Sequence, residues 1–482
     1  MSNKNRLGVN TILNMVKTLV GVVFPLVTFP YVLRILLPDN IGKVNFANSF
    51  VSYFSLIASL GVSSYAIREC AIVKNDKKAL EKRASEIFSI NVCTTVIAYF
   101  LLLVALIFFR KLDGYRTIIV IQSTTIILTT LGTDWLNTAM EDFKYITIRF
   151  IVFQVISLVL LFAFVKTKDD YVKYVMIAVL SSSGAEISNI IYRKRFCNIR
   201  FTRKLNLKTH LRPIILLFVM ILAQTIFNSA DITMLVLIKG DFEVGIYSTA
   251  LKVENIIAQI ITSLVWVMLP RLTMYYNDDN IDKVNELLGK ILAFFLVVGL
   301  PCVIGVIVLA KDIILIVGGH EYLGATLPLT ILMLSLLFNL FGGSFLGNMV
   351  LLPTKREGLF MIICCICTGV NLVLNIVFIP KGGAIAAATT TTIATLLMLI
   401  ILWIKKDKKI KIANLPNVVC GPAIGAGVIF VLCEYLKYLI ENIYIRIGMC
   451  IFFSIGIYLG VLIISKNEFC LYILNILKKK MR

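Results

Sequence analysis

Several charged side chains stand inside apolar runs long enough to cross a membrane, among them Lys17, Arg149, Asp231 and Lys252. A charge at the centre of a spanning helix costs roughly 2.5–3.5 kcal/mol on insertion scales. It is retained where it faces a polar cavity or a partner, so these residues mark a pathway for something polar. Lys252 and Asp231 fall about eight and seven residues inside the outer ends of their spans, or ~12 and ~10 Å at 1.5 Å per residue. A short connection joins the two spans, so these charges are expected to pair at similar depth. A substrate or a proton that competes for one partner would turn the pair into a switch.

The polar neighbours of these charges recur at helical spacing. Ser248, Lys252, Asn255, Gln259, Thr262 and Trp266 are separated by steps of four and three, which places them on one helical face. Gln224, Asn228 and Asp231 form a second such face, and Asn10, Asn14, Lys17 and Gly21 a third. Asn45, Ser49, Ser52, Ser59 and Ser63 form the fourth. Lipid satisfies none of these groups, so the four faces are expected to line a shared cavity. Interhelical hydrogen bonding without a cavity is the alternative. It accounts for Ser and Asn but poorly for Lys252. Arg34, Arg68 and Arg149 are further candidate cavity cations, against snorkelling to the headgroups. Asp134 and Glu186 read as interfacial acids near helix ends, and Glu254 points away from the Lys252 face.

The elements that position these residues are membrane helices. Of 482 residues, 59% are hydrophobic and only 16% charged, against about 45–50% and about 25% in soluble domains. The expected spans are 11–33, 44–66, 87–109, 117–139, 146–165, 171–191, 213–238, 244–268, 289–310, 325–350, 358–379, 383–404, 417–437 and 445–465. The basic N-terminus lacks a signal-cleavage pattern, so the first helix is expected to be an uncleaved anchor. With the N-terminus inside, 32 of the 48 Lys and Arg residues fall in inner loops and tails and 13 in outer ones. Both termini are then cytoplasmic. This asymmetry accounts for the net charge of +21 without nucleic acid, for which no soluble domain exists.

An internal repeat organises the spans. At an offset of 203, Ile41-Gly42 meets Val244-Gly245, Ala47 meets Ala250, and Arg68 meets Arg271. The expected architecture is all-α and polytopic, with about fourteen transmembrane helices. Residues 1–209 and 210–410 form two six-helix lobes in a pseudo-two-fold repeat around a central cavity, and residues 411–482 carry two further helices and a basic tail. No catalytic constellation accompanies them. There is no P-loop, GxSxG or HExxH, and His210 and His320 lack ligand-like neighbours. The eleven cysteines read as packing residues. The chain is expected to be neither an enzyme nor a cofactor protein.

The stretch from Phe29 to Cys70 resembles the first two helices of Wzx-type flippases, which carry O-antigen and capsule repeat units. Pro30, Tyr31, Arg34, Gly42, Leu60, Gly61, Tyr65, Arg68 and Glu69 carry the likeness, and NSADITMLVLIKGDFEVGIYSTALKV with Leu269–Leu272 extends it into the second half. The family belongs to the multidrug/oligosaccharidyl-lipid/polysaccharide exporter superfamily. The resemblance implies two six-helix lobes around a cavity. It also implies alternating access with H+ or Na+ coupling, for which Asp231 is the candidate, and a bacterial plasma-membrane location. The implied cargo is an undecaprenyl-pyrophosphate-linked oligosaccharide. Implied partners are membrane lipids, a polysaccharide polymerase and chain-length proteins. Cations in a low-dielectric cavity suit a pyrophosphate, and the amide and hydroxyl stripes suit sugars. The rivals are a cation-coupled multidrug exporter of the same superfamily and a membrane polysaccharide polymerase.

Overall fold

The computed structural model describes residues 3–203, 207–266, 268–407, 410, 415–465, 467 and 469–471. Every regular element among them is helical: α1 Asn3–Ser59, α2 Val62–Ile72, α3 Lys77–Phe108, α4 Arg116–Gly132, α5 Asp134–Ala139, α6 Phe143–Phe164, α7 Tyr171–Tyr192, α8 Leu207–Lys239, α9 Asp241–Trp266, α10 Leu269–Asn277, α11 Ile281–Phe294, α12 Leu300–Val308, α13 Ala310–Val317, α14 Thr326–Asn339, α15 Glu357–Lys405, α16 Leu415–Leu439 and α17 Ile443–Ile464. Nine described helical stretches are long and apolar enough to cross a membrane, which makes this a multi-pass membrane protein. Two of the nine bend into two limbs, α1 at Leu37 and α15 at Gly383. The connection expected over 34–43 is therefore a one-residue break. Pro38, which donates no backbone hydrogen bond, starts the second limb.

The chain separates into two compact units, Met1–Gly245 and Ile246–Arg482. In the first unit alternate connections collect at opposite ends, as an up-and-down bundle requires. At one end Asn40 Nδ2 donates to Lys168 O (2.8 Å), Tyr31 O–H to Val165 O (2.8 Å) and Tyr115 O–H to Asp241 (2.7 Å). The Lys173 ammonium and the backbone N–H groups of Lys166 and Thr167 hold the Asp170 carboxyl there well below the usual carboxylate range. At the other end Lys74 pairs with Glu141 (2.9 Å), and Tyr192 O–H donates to Asp142 (2.6 Å). This second end carries the α2–α3 connection with Lys74 and the basic stretch Arg193–Arg195 that follows α7.

The repeat has a structural signature. Leu37 and Gly240, 203 residues apart, both take positive φ (63° and 94°). Each precedes a helical limb whose fifth residue is a glycine, Gly42 or Gly245. A Cβ on Gly42 would fall on the carbonyl of Asp241, and one on Gly245 on the carbonyl of Pro38. The contact is reciprocal, as a local two-fold between the two limb starts produces.

In the second unit α16 and α17 pack on each other and on α12 through Val308, Ile429, Cys433, Leu436, Tyr458 and Leu462. Arg446 on α17 clasps Asp312 on α13 with two bonds (2.8 and 2.5 Å). Between α14 and Leu352 the chain winds as a π-helix, Leu340–Leu351.

Candidate functional site

Arg149 lies in the first unit among partners that the sequence does not put beside it. The span expected over 117–139 is broken at Thr133, which adopts a left-handed conformation (φ 53°). The chain restarts as α5 with Asp134 at its head, and that carboxylate pairs with the Arg149 guanidinium from α6. Arg149 Nη1 also donates to Ala185 O (3.1 Å), and its guanidinium lies over the Tyr145 ring at 5.4 Å. Glu186 on α7 stands 3.8 Å from Nη2. Arg149 is only 7% exposed, so its charge is answered inside the bundle rather than presented to a cavity. Asn137 Nδ2 donates to Asp134 (3.1 Å) and to Asn189 Oδ1 (2.7 Å), and Asn189 Nδ2 donates to Gly132 O (2.6 Å). Helix α7 approaches so closely here that a Cβ on Gly132 would fall on the Glu186 carboxylate. Lys17, half-buried on α1, lies over the Phe150 ring at 5.6 Å.

The Ser49 and Ser52 face turns toward α8. Ser49 is buried and donates to Ser229 O (2.8 Å), and Ser52 Oγ lies 3.4 Å from Ser229 Oγ. Tyr53 O–H bonds Thr233 Oγ1 (3.1 Å). These groups therefore form an interhelical seam, and Asp231 lies on the same helix, 3% exposed. Asn45 is half-buried. The side chains of Asn10, Asn14, Asn228 and Trp266 lie outside the described residues.

In the second unit Lys252, Asn255 and Gln259 form an exposed row along α9, backed by buried Val253, Ile256 and Ile261. Asp231 belongs to the first unit and Lys252 to the second. Arg34 is exposed on α1. Arg68 is exposed on α2, 4.0 Å from Glu69 and over the Tyr65 ring at 5.8 Å. The expected cations thus separate into one buried ion-pair member, one half-buried residue and three exposed ones.

Two polar clusters escape sequence reasoning. Tyr65 O–H bonds His210 Nδ1 (2.7 Å), and His210 Nε2 bonds Glu86 (3.0 Å), all three side chains being buried. Their positions, 65, 86 and 210, share no local spacing. In the second unit Asn375 Nδ2 donates to Asn371 Oδ1 (3.1 Å) and its own Oδ1 accepts from Thr390, between the limbs of α15. The spacing Asn371, Asn375 is legible as one helical face. Among the described residues no group of His, Cys, Asp and Glu could hold a metal ion.

Apolar helical spans, ion-paired charges inside the helical packing and an exposed row of Lys252, Asn255 and Gln259 fit a polytopic membrane transporter. The chain belongs to the polysaccharide biosynthesis protein family, whose description it matches over residues 7–276. Residues 244–459 also match the family described as lipid II flippase MurJ. The capsular polysaccharide biosynthesis protein CapF of Staphylococcus aureus is 24% identical over 367 residues, 73% of this chain and 86% of that protein. A structure of the lipid II flippase MurJ, inward closed, superposes with a TM-score of 0.74 at 16% identity, covering 95% of this chain and 99% of that one. An inward-facing multidrug resistance MATE transporter superposes at 0.60 and 14% identity, covering 82% of this chain and 93% of that one. These structural likenesses establish the shared fold.

Proposed function

We propose that this protein flips undecaprenyl-pyrophosphate-linked oligosaccharide units from the cytoplasmic to the outer leaflet of the bacterial plasma membrane. The units supply capsule or O-antigen synthesis, and the cycle is alternating access between lobes 1–209 and 210–410, with helices of 411–482 appended. The observation that carries this reading is the exposed row Lys252, Asn255 and Gln259 on α9. A fixed cation beside two amides suits a pyrophosphate joined to sugars. The relatives named for capsule synthesis and lipid II flipping support the same cargo class. Lys17, Arg34 and Arg68 are the further cations we assign to the headgroup. Arg149 would join them only on parting from Asp134. Asp231 is the proposed residue for H+ or Na+ coupling, and both termini are proposed to be cytoplasmic. Membrane lipids, a polymerase and chain-length proteins are its proposed partners.

The test is complementation of a deletion strain. Lys252→Ala should leave a folded, membrane-inserted protein and abolish surface polysaccharide; full surface polysaccharide would remove Lys252 from the mechanism. The multidrug exporter shares the fold, but its cavity should be acidic or apolar. Cation-coupled efflux of cationic dyes by the purified protein would favour it.

A further inference from the structure

The Arg149 cluster contains one carboxylate more than its guanidinium can satisfy. Asp134 has first claim: it pairs closely with Arg149 and accepts from Asn137. Glu186 reaches Arg149 with Oε1 only at 3.8 Å, and among the described residues its buried Oε2 has no hydrogen-bond partner. The Glu186 residue is 9% exposed. Asn137, 0% exposed, likewise has no partner for its Oδ1 among the described residues. Among the described residues, three charged groups act on Glu186. Asp134 comes from α5, Arg149 from α6, and Lys17 from α1 is near enough to act on the carboxylate. Gly132, against which the carboxylate packs, is neutral, and Arg193, at the end of α7, is bonded to Leu131 O and Thr133 Oγ1. A buried carboxylate oxygen that accepts no hydrogen bond is expensive in a low-dielectric setting, and a proton on it removes that cost while supplying a donor.

We propose that Glu186 is a proton-binding site in the first unit, with Arg149 and Asp134 as the fixed ion pair that positions it. The ligand is a single proton, taken from and returned to water, and the site is separate from Asp231. Loss of the proton adds one negative charge beside the Arg149–Asp134 pair and strengthens the claim of Glu186 on Arg149. Arg149 then has two competing carboxylates, and α7 is drawn toward α6. Protonation releases that competition. The binding site stands on the cluster geometry alone, while its use in driving flipping rests on the function proposed above.

Infrared difference spectroscopy of the full-length protein in lipid nanodiscs, across a pH titration, tests the site. The wild type should show a carboxylic-acid C=O band that appears and disappears reversibly with pH. The band should be lost in Glu186→Gln, shifted in Glu186→Asp and retained in Asp231→Asn. An unchanged band in Glu186→Gln overturns the proposal. If Glu186→Gln does not fold, an unshifted band in Glu186→Asp overturns it equally. In cells, polysaccharide export by Glu186→Gln should lose the sensitivity to protonophores that the wild type shows. Retained sensitivity with a lost band would overturn the coupling role and leave the site intact. A titrating band in a protein that exports no polysaccharide would instead count against the cargo assignment.

Discussion

At the residue scale the stranded charges have unequal roles. Lys252 is exposed on a polar row, whereas Arg149 is held by Asp134, Ala185 O and the Tyr145 face. Removing Arg149 strands the half-buried Asp134 carboxylate and takes the nearest cation from Glu186; breaking a fully buried pair costs about 3–5 kcal/mol, which is the upper bound here. Arg149→Ala is therefore expected to lower the thermal midpoint of the detergent-solubilised protein sharply, while Lys252→Ala leaves it near wild type. Equal midpoints for the two variants would contradict the division. The charges themselves are legible because charged residues are rare in apolar runs. Their partners are not. Asp134 meets Arg149 only because the helix breaks at Thr133; Gly132 just before it marks a stop, but a glycine inside an apolar run does not say which side chain the restarted helix will meet. Glu186 looked interfacial because it lies close to a helix end in sequence, although α7 buries it against Gly132. His210 similarly lacked a local neighbour and found Tyr65 and Glu86 in space.

At the element scale the repeat proved readable where backbones touch. The pairing of Gly42 with Gly245 at an offset of 203 has a physical cause: each glycine lets a facing carbonyl approach where a Cβ would collide. Gly42→Ala and Gly245→Ala should each destabilise the protein by about 1–3 kcal/mol, the usual range for overpacking. Glycine positions without close neighbours, such as Gly369, should tolerate alanine. Thermal melts of the three variants decide this, and a tolerated Gly42→Ala would refute the close crossing. Helix existence was legible from apolar runs, but breaks were not. Leu37 takes a φ of 63° in the sequence Leu-Pro, and its counterpart is Gly240. A leucine gives no warning of a left-handed turn. The Ser49 and Ser52 face illustrates a different difficulty. Periodicity shows that residues share a face but leaves open what lies opposite, and here Ser229 and Thr233 lie there.

At the scale of the whole molecule, composition and hydropathy already point to a multi-pass membrane protein, and the asymmetry of Lys and Arg is the basis for the proposed orientation. Family membership and fold agree with the transporter reading, and the cargo is the central proposal. The most direct measurement is the leaflet position of the lipid-linked oligosaccharide in spheroplasts, read by its accessibility to an impermeant glycan-modifying enzyme. Cells with the wild-type chain are predicted to expose the unit on the outer leaflet. Deletion cells, and those carrying Lys252→Ala, should accumulate it in a protected inner pool. Equal outer-leaflet exposure with and without the protein would contradict the account.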